Sequence, residues 1–184
     1  MFPAVPERMP VKGATRSAAD GSGLVLVVLL LGLAGCGVAA HGRNAEGVRL
    51  YQQGNFQAAL EKFQSALYSD PQNADAYYNL GATYHRLAKL TGNRDDFKQA
   101  ETYYNQALDR NPDHRDAYRG LAVMLVEEER SNDAFKLLEG WANRNPSDPV
   151  PRIELARLHE EFGNREAARE HLISAVSLDP YNAQ

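Results

Sequence analysis

The chain has 184 residues, with 20 basic and 24 acidic side chains and a formal net charge of −4. An acidic chain lacks the basic footprint that nucleic-acid binding needs, so nucleic acid is not an expected partner. The sequence contains a single cysteine. This excludes an internal disulfide and predicts another use for the thiol.

Residues 1–35 have the composition of an export signal. A short apolar run at residues 24–33 follows three basic side chains, which are Arg8, Lys12 and Arg16. The strictly aliphatic part is too short for a membrane-spanning helix. The residues that follow, Leu33-Ala34-Gly35-Cys36, resemble the lipobox of bacterial lipoproteins. That resemblance implies a lipid-modified Cys36 as the first residue of the mature chain, whether translation starts at Met1 or at Met9.

Anchoring at Cys36 would keep the rest of the protein close to a membrane. The linker, residues 36–43, reaches at most about 26 Å when fully extended. Two or more acyl chains hold a protein stably at a bilayer. The resemblance therefore implies a cell-envelope location on the exported side, at the outer membrane if the cell has two membranes, because glycine rather than aspartate follows the cysteine. The alternative is an uncleaved signal anchor over residues 23–40.

Residues 40–182 carry an internal repeat. Four alanines and four prolines recur with the same steps of 41, 34 and 34 residues; they are Ala59, Ala100, Ala134 and Ala168, and Pro71, Pro112, Pro146 and Pro180. A period of 34 residues is typical of a helix-turn-helix solenoid unit. The steps divide this segment into units at residues 40–73, 74–114, 115–148 and 149–182.

The second unit most closely resembles the tetratricopeptide repeat (TPR). It has the family's large, small and proline positions at Tyr77, Leu80, Gly81, Tyr84, Ala100, Tyr104, Ala107 and Pro112. Small residues let two antiparallel helices approach closely, and a proline ends the second helix. The resemblance implies an all-α fold, a right-handed superhelical solenoid of four TPR helix-turn-helix units, in a domain of residues 44–182.

Eight helices are predicted from these four units. We expect them at residues 44–53, 56–69, 74–90, 96–110, 115–129, 132–144, 151–162 and 165–178. Asn73 and Asp148 are expected to cap the third and the seventh helix. The second unit is longer than the others, which predicts an extended third helix and then a polar loop at residues 91–95. This extension is either a tolerated lengthening of a loop or a projecting contact.

Trp141 stands where the repeat usually has a small residue. Its indole either repacks into the core or serves as an exposed interface anchor.

Repeat proteins of this type bind partners in a groove that is lined by the first helix of each unit. By resemblance, the groove residues of this chain are Tyr51, Tyr78, Asn79, His85, Arg86, Arg119, Val123, Glu127, Arg157 and Glu160. This mixture of aromatic, aliphatic and charged side chains suits an extended peptide or a partner helix. Ordinary solvated surface is the alternative for each residue taken singly.

The sequence shows no catalytic pattern. The histidines fall at unrelated positions of the repeat, and no metalloprotease, paired-cysteine, phosphate-loop or serine-elbow motif occurs. We therefore expect no enzymatic activity, no cofactor and no metal site.

Apolar residues of the last unit stand where a further repeat would pack. Solenoids usually need a polar cap at their ends. Leu172, Val176 and Leu178 therefore predict a C-terminal interface, used for self-association or for a partner.

Together these features predict a noncatalytic, membrane-anchored TPR lipoprotein. It would act as a protein–protein interaction scaffold or adaptor in the bacterial cell envelope, with protein or peptide partners near the membrane surface. The alternative is an oligomeric structural solenoid or assembly factor that is held by an uncleaved N-terminal signal anchor.

Overall fold

The computed structural model describes residues 41–179, and every regular element in this range is an α-helix. The helices are α1 (residues 41–52), α2 (Phe56–Ser69), α3 (Ala74–Thr91), α4 (Arg94–Arg110), α5 (Arg115–Glu127), α6 (Ser131–Arg144), α7 (Val150–Glu161) and α8 (Arg165–Leu178). The predicted all-α TPR solenoid is confirmed. The predicted signal segment, Cys36 and the residues from Pro180 onward lie outside the described residues.

Side-chain caps begin several of these helices, as the sequence predicts. The Asn73 side-chain oxygen accepts a hydrogen bond from the Ala76 amide at 2.9 Å, and Asp148 accepts one from the Val150 amide at 3.0 Å. At the start of α5 the cap is a histidine, because Nδ1 of His114 accepts from the Ala117 amide at 3.2 Å. Each cap satisfies a backbone donor that the first turn of a helix would otherwise leave unpaired.

The alanines that define the sequence period lie where paired helices meet. Ala59, Ala100 and Ala134 are fully buried, and Ala168 is 2% exposed. A side chain of one carbon lets the second helix of each hairpin approach its partner closely. The second helices then pack on the next hairpin, with α2 against α3, α4 against α5 and α6 against α7. A stack of hairpins follows from this pattern, with one buried cluster on α2 and α3 and a larger one on α4 to α7.

The extra residues of the second unit lengthen both of its helices. The predicted loop at residues 91–95 is wrong, because α3 continues to Thr91 and α4 begins at Arg94. Gly92 ends α3 in a left-handed conformation, with φ of 72°, which glycine adopts without a steric penalty. Asn93 then caps α4 by accepting a hydrogen bond from the Asp95 amide at 3.0 Å. The connection is a two-residue turn instead of a polar loop.

Trp141 lies in the core, so the alternative of an exposed interface anchor is wrong. Its side chain is 0% exposed, and the indole stacks on the Tyr118 ring with a centroid distance of 4.3 Å and an interplanar angle of 6°. Tyr118 in turn contacts Arg144, whose guanidinium lies 5.9 Å from the ring centroid. The indole fills space between α5 and α6.

No helix within residues 41–179 combines the length and the apolar composition that spanning a bilayer requires.

Candidate partner-binding site

The first helices of the four hairpins, α1, α3, α5 and α7, carry all the predicted groove residues. We call the surface that these helices form the first-helix face. Adjacent first helices contact one another directly, because α3 packs on α5 and a pair of asparagines joins α1 to α3. The face is therefore continuous from one unit to the next.

Two polar contacts join successive units at equivalent positions of the repeat. Asn79 donates to the Asn44 side-chain oxygen at 3.0 Å, and Nε of Arg119 donates to the Glu154 carboxylate at 2.6 Å. The two residues of each pair are 35 residues apart. Each contact therefore connects the fifth position of one unit to the sixth of the next. Asn79, a predicted groove residue, is held in this junction.

Between the second and the third unit, an aromatic contact takes the place of this polar contact. The fifth position of the second unit is Tyr78, and the sixth of the third unit is Gly120. A Cβ atom at Gly120 would lie 2.8 Å from the Tyr104 ring, and one at Gly81 would also lie 2.8 Å from it. The Tyr104 ring, 2% exposed, therefore lies between two helices that only glycine allows to approach so closely.

Tyr78 lies over this junction on the first-helix face. Its ring centroid is 6.0 Å from that of Tyr104 and 5.2 Å from that of His114. Burial raises the pKa of the Tyr78 phenol above its ordinary value; the Asp116 carboxylate and Tyr51 raise it further, and Arg119 lowers it. The phenol is therefore a neutral hydrogen-bond donor at physiological pH.

His85 and Glu127 form one polar cluster with Lys89. Nε2 of His85 lies 2.8 Å from a Glu127 oxygen, and Lys89 donates to the other oxygen of the same carboxylate. Burial of the Glu127 carboxyl opposes ionisation, but the hydrogen bonds from Lys89 and His85 outweigh it and lower its pKa. The predicted role of His85 in lining an open groove is corrected here, because its side chain is only 11% exposed and packs beside Tyr104 and Phe97.

An apolar pocket opens between α5 and α7. It has a volume of about 280 Å³, and its lining residues are Arg119, Ala122, Val123, Val126, Leu138, Glu154, Arg157, Leu158 and Glu161. Three predicted groove residues, Arg119, Val123 and Arg157, thus meet at one cavity. Val123, one of the lining residues, is 52% exposed.

The other predicted groove residues are not brought together. Arg86 and Glu160 are exposed and line no part of this pocket. Tyr51 is half-buried and contacts Phe56 edge-on at a centroid distance of 5.4 Å, which places it against the core of the first hairpin. The candidate site therefore centres on α5 and α7, with Tyr78 beside it.

Sequence reasoning missed Glu154. This carboxylate is 8% exposed and accepts hydrogen bonds from Arg119 at 2.6 Å and from Arg157 at 3.0 and 3.2 Å. The spacing of Glu154 and Arg157, three residues apart on one helix, is a signal that could have found their pairing. The contact with Arg119 depends on how two units stack.

The predicted C-terminal interface residues lie on the exposed side of α8. Leu172 is 39% exposed, Val176 is 46% exposed and Leu178 is 38% exposed, and the neighbouring Ile173 is 59% exposed. α8 packs on α7. Within the described residues no later hairpin follows α8, whereas α2, α4 and α6 each have one.

No group of three or more metal-ligating side chains lies together in residues 41–179.

Models of the tetratricopeptide repeat match most of the chain. One model, described as a TPR repeat, matches residues 47–87, and two models described as tetratricopeptide repeats match residues 85–149 and 152–182.

Similar proteins include a protein O-mannosyl-transferase, Tmtc3, from Drosophila melanogaster. It is 36% identical over 124 residues, which is 67% of this chain but 13% of the Drosophila protein, so the chain spans only a small part of that relative.

Among solved structures, MamA superposes with a TM-score of 0.58 at 19% identity, covering 78% of this chain and 80% of MamA. YrrB, described as a TPR protein with an unusual peptide-binding site, superposes with a TM-score of 0.51 at 22% identity, covering 77% of this chain and 72% of YrrB. At these identities the likeness shows the fold alone. The period of the alanines, the eight helices of the described range and the three matching repeat models together place this chain in the tetratricopeptide-repeat family.

Proposed function

We propose that this protein is a noncatalytic scaffold that binds protein or peptide partners on its first-helix face. The observation that carries the proposal is the apolar pocket between α5 and α7, with the half-exposed Val123 at its edge. A concave, mostly apolar cavity with a few charged groups around it is the usual form of a binding site. YrrB, which shares the fold, is described as having a peptide-binding site.

Site-specific photo-crosslinking in cells tests the use of this face. A photoreactive amino acid at Val123 on α5 is expected to give adducts with a small set of proteins, and purified members of that set should then bind the purified chain. The matched control is Tyr68 on α2, which is 92% exposed but lies on a second helix. Equal adducts from both positions, or none from Val123, would contradict the proposal.

We propose further that the scaffold is a lipoprotein of the cell envelope, attached to a membrane through Cys36. The support is the sequence Leu33-Ala34-Gly35-Cys36 after a basic and then apolar segment. The parent chain should incorporate a labelled fatty acid and lose residues 1–35, and Cys36→Ala should abolish the labelling. A parent chain that takes up no label and keeps its leader uncut would instead support the alternative of an uncleaved anchor.

Self-association through α8 is a second candidate function, in which another copy of the chain covers Leu172, Ile173, Val176 and Leu178. The exposure of these four side chains on a single helix favours it. Sedimentation velocity should show a concentration-dependent oligomer that Val176→Glu abolishes, because a buried unpaired carboxylate opposes association. A monomer at every concentration tested would refute this candidate.

A further inference from the structure

The pocket between α5 and α7 has room for one large side chain. Its volume of about 280 Å³ lies below the range of roughly 300–1,000 Å³ that is usual for drug-sized ligands. Its apolar lining comes from α5 (Ala122, Val123, Val126), from α6 (Leu138) and from α7 (Leu158). Leu138 is 2% exposed and Leu158 is 6% exposed. An aliphatic or aromatic side chain entering this space would contact carbon atoms from three helices.

Two arginines beside the apolar lining are held in place by one buried carboxylate. Glu154 accepts hydrogen bonds from Nε of Arg119 and from Nη1 of Arg157. Each guanidinium keeps part of its surface open, since the Arg119 side chain is 42% exposed and that of Arg157 is 63% exposed. Nε and Nη2 of Arg157 donate to no side chain or carbonyl among residues 41–179.

The charges around the pocket are arranged unevenly. Arg119 is paired with both Glu154 and Asp116, the latter at 3.5 Å, so Arg157 is the guanidinium that keeps a free edge. Glu161 also lines the pocket and forms no ion pair within the described range. A ligand carboxylate is therefore complementary to the free edge of Arg157, where a forked guanidinium can bind it through two N–H groups, and not to the Glu161 side.

We propose that this pocket takes one large apolar side chain, leucine or phenylalanine, from an extended peptide, and that an adjacent acidic residue of the same peptide pairs with Arg157. This rests on the proposed function of the first-helix face as a partner-binding surface. It adds a sequence preference: a large apolar residue next to aspartate or glutamate. Arg119 positions the site by fixing Glu154, which in turn orients Arg157.

Fluorescence-polarisation titrations of the full chain in detergent test this preference directly. The probes are fluorescein-labelled eight-residue peptide pools that are random except for one fixed central pair, Phe-Asp, Leu-Asp, Ala-Asp or Phe-Lys. The Phe-Asp and Leu-Asp pools should bind about tenfold or more tightly than the Ala-Asp pool. The reason is that phenylalanine and leucine each bury several more carbon atoms in an apolar pocket than alanine does. The Phe-Lys pool should also bind more weakly than the Phe-Asp pool.

Substitutions in the protein test which of its residues produce this peptide preference. Val123→Glu should weaken binding of the Phe-Asp pool, and Arg157→Glu should reverse the order of the Phe-Asp and Phe-Lys pools. The control is Arg169→Glu, an exposed charge reversal on α8, which should leave that order intact. Circular dichroism of each variant reports whether it folds.

The outcomes separate the two proposals. If no pool binds at any concentration, the proposed peptide-binding function of the face fails. If pools bind without preference among the fixed pairs, or if folded Val123→Glu and Arg157→Glu bind like the parent chain, the face binds peptides but this pocket does not select them. The inference requires that Arg157→Glu reverses the order of the Phe-Asp and Phe-Lys pools and that Arg169→Glu does not.

Discussion

At the residue scale, the Tyr104 ring is constrained by two glycines, Gly81 and Gly120, that lie against it. Gly81 is a small residue that the repeat pattern predicts, whereas Gly120 occupies a position where the other units have alanine, asparagine or glutamate. The sequence alone does not reveal why Gly120 is there. The reason is a contact between units: the ring of α4 reaches the backbone of α5.

We predict that Gly120→Ala destabilises the protein. The new Cβ would lie 2.8 Å from Cε1 and Cζ of Tyr104, both in a rigid, buried ring. Overpacking costs about 1–3 kcal/mol, and the better helix propensity of alanine returns up to about 1 kcal/mol. A net loss of up to about 3 kcal/mol in the free energy of unfolding is expected by urea titration.

Gly140→Ala is the matched control, because Gly140 also lies inside a helix but its nearest neighbour is the flexible end of Arg144 at 3.4 Å. This variant should be as stable as the parent or more stable, by up to about 1 kcal/mol. Equal effects of the two substitutions would mean that the contact with Tyr104 is not what Gly120 provides.

Trp141 allows a second test at this scale. Its indole Nε1–H is buried and has no hydrogen-bond partner among the described residues. Trp141→Ala should cost about 3–5 kcal/mol of unfolding free energy, as expected for loss of a large core side chain. Trp141→Phe should cost much less, because it keeps a ring against Tyr118 and removes an unpaired buried donor. Urea unfolding followed by circular dichroism checks both, and equal losses would contradict the argument.

At the element scale, the helices could be predicted because the signals are local. The alanine and proline period, the capping residues Asn73 and Asp148, and the small residues within each hairpin all act within one unit. The connection between α3 and α4 could not be placed correctly, because the polar composition of residues 91–95 also fits a longer loop. Only the left-handed φ of Gly92 and the cap by Asn93 show that two residues complete the turn.

The α7–α8 hairpin contains a stacked pair of histidines. The His159 and His171 rings lie 5.3 Å apart with an interplanar angle of 14°, and the Phe135 ring lies 4.6 Å from that of His159. Burial lowers the pKa of His171, the neighbouring His159 and Arg152 lower it further, and Glu139 and Glu170 partly oppose this. The folded state therefore favours neutral His171.

We predict that this hairpin makes the protein less stable in mild acid. The unfolded chain protonates His171 near its ordinary pKa of 6.5 while the folded chain resists, so the free energy of unfolding decreases as pH falls through and below 6.5. His171→Gln should flatten the pH dependence between pH 7.5 and 5.5, as measured by urea unfolding at each pH. An unchanged slope in this variant would show that His171 is not the group responsible.

At the scale of the whole molecule, the stacking of units determines which predicted groove residues are free to contact a partner. The repeat register placed all of them on first helices, which is a property of one unit. Which of them are free depends on contacts between units: Asn79 is bound to Asn44, His85 is buried beside Tyr104, and Glu127 is paired with Lys89. Glu154 was missed for the same reason, because its partner Arg119 belongs to another hairpin.

The central claim is that the first-helix face binds an extended peptide. The most direct measurement is a titration of the isotope-labelled chain with the Phe-Asp peptide pool, followed by amide chemical shifts. The claim predicts saturable shifts concentrated on α3, α5 and α7 around Tyr78, Val123 and Arg157. Shifts that map instead to α2, α4, α6 and α8, or no saturable shift at all, would contradict it.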